Sequence, residues 1–455
     1  MVFSSNLFIF RFIPVVFLLL FLTPKKHQNL VLLISSLFFY AWGEVRYIFI
    51  MIASIIVDYT MSNSIEKYRN QPKKTKIFLY ISIFFNLGML FFFKYSNFFI
   101  SNINMLFQSN IQPIQVTLPL GISFYTFQTM SYTIDVYRNK IKADKNIIDF
   151  GAYVCLFPQL IAGPIIKYRT ISHQLKHRMI NSDNVIAGTK IFLLGLFSKV
   201  LLANNIGMLW DEVQTLTTIS TITAWLGLVA FGLQIYFDFS GYSLMAIGLG
   251  KILGFDFEQN FNFPYISKSM SEFWSRWHMT LGAWFKEYVY IPLGGNRKGK
   301  PRQMLNLLIV WFLTGFWHGA NYNFILWGLY FFLLLTVEKL FLNGFLNKHS
   351  IISRVYFVFF ILVGWAIFAI DDITQLTNFI QVMFSYQQGS EWMYYFRNYG
   401  IILLCGLIFS TPIIKKIVNR FEHSYAIELL YVVGFIVSVA YLVDSTYNPF
   451  LYFRF

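Results

Sequence analysis

The chain has 455 residues, of which 36 are Lys or Arg and 21 are Asp or Glu, so its formal net charge at pH 7 is +15. Only 13% of the residues are charged, whereas 56% are hydrophobic and 20% are aromatic. Because a soluble domain carries about 25% charged residues, this composition excludes an ordinary cytosolic enzyme, a disordered chain and a collagen-like chain, and it predicts an integral membrane protein.

The first predicted element is an apolar run at residues 7–22, which no cleavage-site pattern follows, so we interpret it as a membrane helix rather than a removable signal peptide. A spanning helix needs about 20 mostly apolar residues. On that basis the sequence predicts an all-α integral membrane fold with about 11 to 13 transmembrane or re-entrant helices. The predicted helices are residues 7–22, 28–43, 46–62, 77–100, 116–137, 148–166, 185–208, 221–250, 303–319, 323–342, 353–370, 397–414 and 425–443.

The least regular of these elements is residues 148–166, which Pro158 and the Gly163-Pro164 pair interrupt. We expect this element to dip into the membrane and return to the same side. The basic clusters between the other elements then all fall on one side, which the positive-inside pattern assigns to the cytoplasm, and both termini face outward. No internal repeat divides the sequence, so we predict a single membrane domain over residues 1–455.

Residues 260–304 form a long stretch that is neither a clean span nor an ordinary loop, and we interpret it as an interfacial or re-entrant segment. Within it, Ser271 is expected to cap a short helix. That helix would present Trp274, Trp277 and Leu281 on one face.

Two of the seven histidines, His278 and His318, lie outside the polar loops and basic segments. His318 ends a predicted helix that leaves a basic loop, and about fifteen residues at 1.5 Å each carry it roughly 22 Å into the membrane. Gly315 and Gly319 leave space beside its ring. An imidazole at that depth is costly unless it faces a cavity or a partner, so we expect a functional role, with a neutral packing histidine as the alternative.

Other ionisable groups and motifs give weaker signals. Asp238 lies in an apolar helix, where it either has a functional role, pairing with a buried base or polarising a histidine, or forms a structural ion pair or helix-end bond, and both remain open. The basic run 297–302 suits a phosphate-bearing donor, but positive-inside topology predicts the same residues without a ligand. Cys155 and Cys405 lie in apolar runs and predict neither disulfides nor a metal site. Membrane topology explains the positive net charge better than nucleic-acid binding does.

Seven motifs, in order along the chain, resemble those of the membrane-bound O-acyltransferases, in the bacterial branch of the alginate O-acetyltransferase type. They are MVFSS at 1–5, LPLGISFYTFQ at 118–128, FPQLIAGPI at 157–165, YFDFSGYS at 236–243, FWSRWH at 273–278, YIPLGGNR at 290–297 and WHGA at 317–320. The chain departs from the usual pattern at Leu244 and Ser275, where relatives commonly carry Asp and Arg.

This resemblance implies a multi-pass fold with a central tunnel through which an acyl group, expected to be acetyl, passes from a cytoplasmic donor across the membrane. It assigns catalytic roles to His318, the histidine of the W-H-G motif, as a general base or a transient acyl carrier, and to His278 as its companion. It also marks candidate substrate or tunnel residues, which are Trp317, Trp277, Arg276, Asp238, Ser240, Tyr242 and Asn321.

The resemblance further implies the molecules with which the chain works. The acyl donor would be acetyl coenzyme A or another thioester, and no bound cofactor or metal is expected. The acceptor would be an envelope polysaccharide, reached through a separate extracytoplasmic acyltransferase protein, and the location would be the lipid of a bacterial inner membrane. Within the same chemistry, D-alanyl transfer to teichoic acid is the alternative. A flippase for lipid-linked sugars and a non-catalytic membrane scaffold are rivals that would not need a His318 base.

Overall fold

The computed structural model describes residues 1–161, 163–421, 424–444 and 451. Within these ranges the chain is built of helices, turns and loops, without a β-strand. Ala162, which belongs to the motif at 157–165, and His423 lie outside the described residues. The all-α fold predicted from the sequence is confirmed.

The helices lie along the chain in the following order. They are α1 (Phe8–Leu22), α2 (Gln28–Gly43), α3 (Val45–Lys67), α4 (Pro72–Phe107), α5 (Ile122–Tyr137), α6 (Ile147–Cys155), α7 (Phe157–Leu160), α8 (Tyr168–His177), α9 (Ser182–Thr215), α10 (Thr221–Ile252), α11 (Met270–Arg276), α12 (Met279–Phe285), α13 (Gly299–His318), α14 (Tyr322–Lys348), α15 (Ser350–Ala369), α16 (Ile373–Phe384), α17 (Glu391–Phe409), α18 (Ile413–Arg420) and α19 (Tyr425–Asp444).

Every predicted element contains helix, but fewer of the helices are long and apolar enough to cross a membrane. Among the described residues seven qualify, namely α3, α4, α9, α10, α14, α15 and α19, and the bent pair of α17 and α18 makes an eighth if it counts as one span. Helices α2 and α5 have 16 residues each. They are therefore roughly 24 Å long, short of a hydrocarbon core of about 30 Å. The chain is a multi-pass membrane protein.

The stretch predicted to dip into the membrane forms α6 and α7, which have nine and four residues. Neither helix is long enough to cross a membrane, and the re-entrant segment stays a prediction. The side chain of Asn146 accepts a hydrogen bond from the backbone nitrogen of Ile148 and so caps the start of α6. The break after Cys155 precedes Pro158, in the first turn of α7, where proline is tolerated.

The structure divides into two compact units, the first formed by Met1–Phe192 and Met245–Glu258, the second by Leu193–Leu244 and Gln259–Phe455. The single functional domain expected from the sequence stays a prediction.

A buried carboxylate joins three helices within the first unit. Asp58 on α3 accepts hydrogen bonds from Ser82 and Asn86 on α4 and from Thr133 on α5. Because these polar groups bond to one another inside the protein, none of them has to face lipid.

In the second unit, α13 and α14 form a tight hairpin because small residues let their backbones approach. A Cβ atom on Gly315 would clash with the carbonyl oxygen of Phe324, and one on Gly328 would clash with that of Trp311. This packing leaves no space for a methyl group at either position. The hairpin fixes the end of α13, where His318 lies.

We expect Gly315→Ala to lower the free energy of unfolding by about 1–3 kcal/mol, because the added methyl group must push the α14 backbone away. Thermal unfolding in detergent would measure this loss. Gly344→Ala on α14 is the matched control, since a methyl group added there would meet no heavy atom within 4 Å. Equal stability of the Gly315 variant and the wild type would contradict the close packing.

Candidate active site

The segment that leads to His278 consists of two short helices rather than one. Helix α11 ends at Arg276 and α12 begins at Met279. The single helix expected to continue to Leu281 is therefore wrong, because His278 adopts a left-handed backbone conformation, with φ 44° and ψ 52°, that interrupts helical hydrogen bonding. The chain turns at this residue, and its imidazole is buried in the protein.

The start of α11 also differs from the prediction. Ser269, not Ser271, is the N-cap, and its hydroxyl accepts a hydrogen bond from the backbone nitrogen of Glu272 at 3.0 Å. Ser271 instead donates to the carboxylate of Glu338 at 2.8 Å. The buried Glu338 also accepts from the backbone nitrogens of Met270 and Ser271, so α14 holds the first turn of α11 in place.

The imidazole of His278 is hydrogen-bonded on one side. Its Nδ1 lies 3.2 Å from Oδ1 of Asn260, which also accepts hydrogen bonds from the backbone nitrogen and the hydroxyl of Thr280. Burial lowers the pKa of the His278 imidazole to about 3, so the ring is neutral at pH 7. Nε2 has no hydrogen-bond partner among the described residues.

His318 is the last residue of α13 and is also buried. Its ring lies 5.0 Å from the ring of Trp317, 5.1 Å from that of Trp327 and 5.2 Å from that of Phe368, centroid to centroid. Trp317 also lies 6.2 Å from the His278 ring. A single indole ring therefore stands close to both histidines.

Both histidines line one cavity of about 350 Å³. This volume is within the range of small-molecule sites, which are mostly apolar with a few convergent polar groups. The wall is mainly aromatic and aliphatic, with polar groups at the two histidines, Thr314, Tyr290 and Lys286. Its residues are Trp274, Trp277, His278, Leu281, Gly282, Phe285, Lys286, Tyr290, Leu307, Val310, Trp311, Thr314 and His318.

A second cavity of about 20 Å³ adjoins His318 on another side, and Asp238, Trp277 and Leu451 contribute to its wall. It has room for about one water molecule. The Asp238 carboxylate is buried and lies 2.6 Å from Nζ of Lys199, and it accepts a hydrogen bond from the backbone nitrogen of Leu451 at 2.8 Å. Asp238 thus forms a buried ion pair with Lys199, and it also lines a cavity together with His318.

The tryptophans predicted near the site do lie beside the histidines. Trp277 lines both cavities, and the Trp317 ring is close to both imidazoles. Ser240 and Tyr242 are buried in α10 without lining either cavity.

Two polar residues predicted as substrate or tunnel residues do not line either cavity, and they bond within or at the start of a helix. Arg276 forms an ion pair with Glu272 on the same helix. Asn321 caps α14 through its side chain, which accepts from the backbone nitrogen of Tyr322 at 2.7 Å. Their predicted roles as substrate or tunnel residues stay predictions.

Two residues of the candidate site, one in contact with His278 and one in the wall of the larger cavity, had not been recognised in the sequence. Asn260 contacts His278 from a loop 18 positions earlier, and no local pattern marks it. Lys286 lines this cavity, whereas none of residues 297–302 does so.

The partner of Asp238 was detectable from the sequence. Lys199 is a lysine within an apolar span, which needs a buried partner, and Asp238 is a carboxylate in another span. In the described part of the chain, no cluster of His, Cys, Asp or Glu could hold a metal ion.

Comparison with known proteins shows the family of this chain. The family model for MBOAT, the membrane-bound O-acyltransferase family, matches residues 81–410, more than half of the chain. The chain therefore belongs to the membrane-bound O-acyltransferase family, and it is an acyltransferase rather than a flippase or a scaffold.

Individual relatives cover much or all of the chain. It is 34% identical, over the full length of both chains, to a Pseudomonas putida protein named "Probable alginate O-acetylase AlgI". A Pseudomonas aeruginosa protein of the same name is 39% identical over 85% of this chain and 75% of its own. A Helicobacter pylori protein named "Peptidoglycan O-acetyltransferase" is 31% identical over all of this chain and 98% of its own.

Proposed function

We propose that this membrane acyltransferase transfers acetyl groups from a cytoplasmic thioester, such as acetyl coenzyme A, to a hydroxyl acceptor, and that these acetyl groups are destined for an envelope polysaccharide. The observation that carries this proposal is that His278 and His318 line the same cavity of about 350 Å³. The names of the full-length relatives, which concern alginate and peptidoglycan, support an acetyl group and a polysaccharide acceptor.

The cavity offers the groups that acyl transfer needs. His318 takes the proton of the attacking hydroxyl while the hydroxyl oxygen bonds to the acyl carbon, and the carbon–sulfur bond then breaks. The proton passes from His318 to the departing thiolate, so the products are an ester and a free thiol. His278 orients one of the two substrates, and the aromatic wall excludes water that would hydrolyse the thioester.

A donor on the cytoplasmic side of a bacterial inner membrane fits the basic loops, which the positive-inside pattern assigns to that side. The described units contain no large globular region outside the helices that could hold a polymer. We therefore propose that a separate extracytoplasmic acyltransferase protein receives the acyl group and completes the modification.

The function can be tested by mass spectrometry of envelope polysaccharides from cells with and without the gene, grown with isotopically labelled acetate. We expect labelled O-acetyl groups only when the gene is present. Alanyl groups in their place would support D-alanyl transfer instead. An unchanged modification pattern with less polymer outside the membrane would contradict the acetyltransferase proposal.

A further inference from the structure

The buried amide of Asn260 determines which nitrogen of His278 faces the cavity. Its Oδ1 accepts a hydrogen bond from the backbone nitrogen of Thr280 at 3.2 Å and from the Thr280 hydroxyl at 2.9 Å. A backbone N–H is always a donor, so this atom of Asn260 is the oxygen and not the amide nitrogen. The 3.2 Å contact between Oδ1 and Nδ1 of His278 then requires the proton on Nδ1.

Two backbone hydrogen bonds also hold this arrangement. The carbonyl oxygen of Asn260 accepts from the backbone nitrogen of Met279 at 3.0 Å, and the backbone nitrogen of Asn262 donates to the carbonyl oxygen of Arg276 at 2.9 Å. These bonds join the loop before α11 to the turn that contains His278. The left-handed conformation of His278 is thereby fixed from both sides.

We propose that Asn260 is a positioning residue, which holds His278 as the neutral tautomer with hydrogen on Nδ1 and with the lone pair of Nε2 facing the cavity. A nitrogen without hydrogen accepts hydrogen bonds and cannot donate one. His278 therefore binds a hydroxyl or N–H group of a substrate and does not stabilise the negative oxygen that develops on the thioester carbonyl. This inference rests on the proposed function and narrows the role of the second histidine.

The titratable groups that share the cavity with His278 are Lys286, Tyr290 and His318. None of them is a hydrogen-bond partner of Nδ1 within the described residues, where that partner is Asn260. The choice of tautomer therefore depends on the Asn260 oxygen.

The helices packed against His278 present aromatic rings to it. From α10 the ring of Phe239 packs edge-on at 4.7 Å, and the neighbouring Asp238 is paired with Lys199. From α13 the contact is the ring of Trp317. These helices therefore supply no charged group that competes with Asn260.

Asn260→Asp tests this inference, because it places a carboxylate against Nδ1–H and keeps an acceptor for Thr280. The carboxylate stabilises imidazolium, so the pKa of the His278 imidazole rises, and Nε2 can no longer accept a hydrogen bond once it is protonated. Initial rates of acetyl transfer from acetyl coenzyme A would be measured against pH in membrane vesicles, per molecule of folded protein. We expect the acid limb of the profile to move up by at least about one pH unit, with recovery at higher pH.

Two further variants complete the test. Asn260→Ala removes the acceptor without adding charge, and we expect a rate about 10- to 100-fold lower at every pH. Thr280→Val leaves the bond between Asn260 and His278 in place, and we expect its acid limb at the wild-type position. If Asn260→Asp does not accumulate in the membrane, the rate of Asn260→Ala alone tests the inference. An unshifted limb in Asn260→Asp, or a wild-type rate in Asn260→Ala, would overturn the inference.

Failure of this inference differs from failure of the proposed function. If wild-type vesicles transfer acetyl groups and the Asn260 variants behave normally, only the positioning role is wrong. If wild-type vesicles with the intact polysaccharide system transfer none, the acetyltransferase proposal itself is wrong.

Discussion

Replacing His318 with glutamine is expected to lower acetylation roughly 10²- to 10⁴-fold, the range for loss of a general base. Glutamine keeps a polar side chain of similar size, but it cannot take the proton of the attacking hydroxyl. Labelled O-acetyl groups on the polysaccharide, divided by the amount of protein in the membrane, would measure the change. Wild-type acetylation in this variant would remove His318 from the mechanism.

The same substitution elsewhere separates chemistry from packing. His349→Gln changes an exposed histidine that lines neither cavity, so wild-type acetylation is expected. If the His318 variant instead loses protein and activity in parallel, the neutral packing histidine considered from the sequence becomes the better explanation. Acetylation by His278→Gln then shows which of the two histidines contributes more. If the double variant acetylates no less than His318→Gln alone, both residues act in one step.

The sequence predicts the regular helices better than it predicts the details of the candidate site. Apolar runs of 16 or more residues predict the helices well, because burial in lipid requires an internally hydrogen-bonded backbone. The helix that was expected to end at His318 does end there, whereas the depth of His318 in the membrane stays a prediction. Which helices cross the membrane was less predictable, because runs such as 28–43 are apolar but short.

The wrong or missed predictions lie at the candidate site, where contacts between distant parts of the chain matter more than local sequence patterns. Ser269 and Glu272 form an S-x-x-E pattern that marks the true start of α11, so the choice of Ser271 missed an available signal. The break at His278 had no such signal, since residues other than glycine rarely adopt a left-handed conformation. The role of Asn260 could not be predicted either, because it depends on a contact with His278 that forms only after the chain folds back.

Breaking the buried ion pair between Lys199 and Asp238 should cause the largest loss of stability. Both side chains are almost fully buried and their charged atoms lie 2.6 Å apart. Lys199→Met leaves the Asp238 carboxylate uncompensated in a membrane interior, and loss of one partner of such a pair costs about 3–5 kcal/mol. Thermal unfolding in detergent and the amount of protein in the membrane would both report this loss. A variant as stable as the wild type would contradict a tightly coupled pair.

The double variant Lys199→Met with Asp238→Asn decides what the pair is for. It removes both charges, and the new amide oxygen still accepts from the backbone nitrogen of Leu451, so stability should largely return. If acetylation also returns, the pair is structural. If the protein is stable but inactive, the carboxylate acts on the cavity that it shares with His318, because the change at that cavity is the loss of its charge. Measuring acetylation and unfolding on the same samples therefore distinguishes the two roles left open for Asp238.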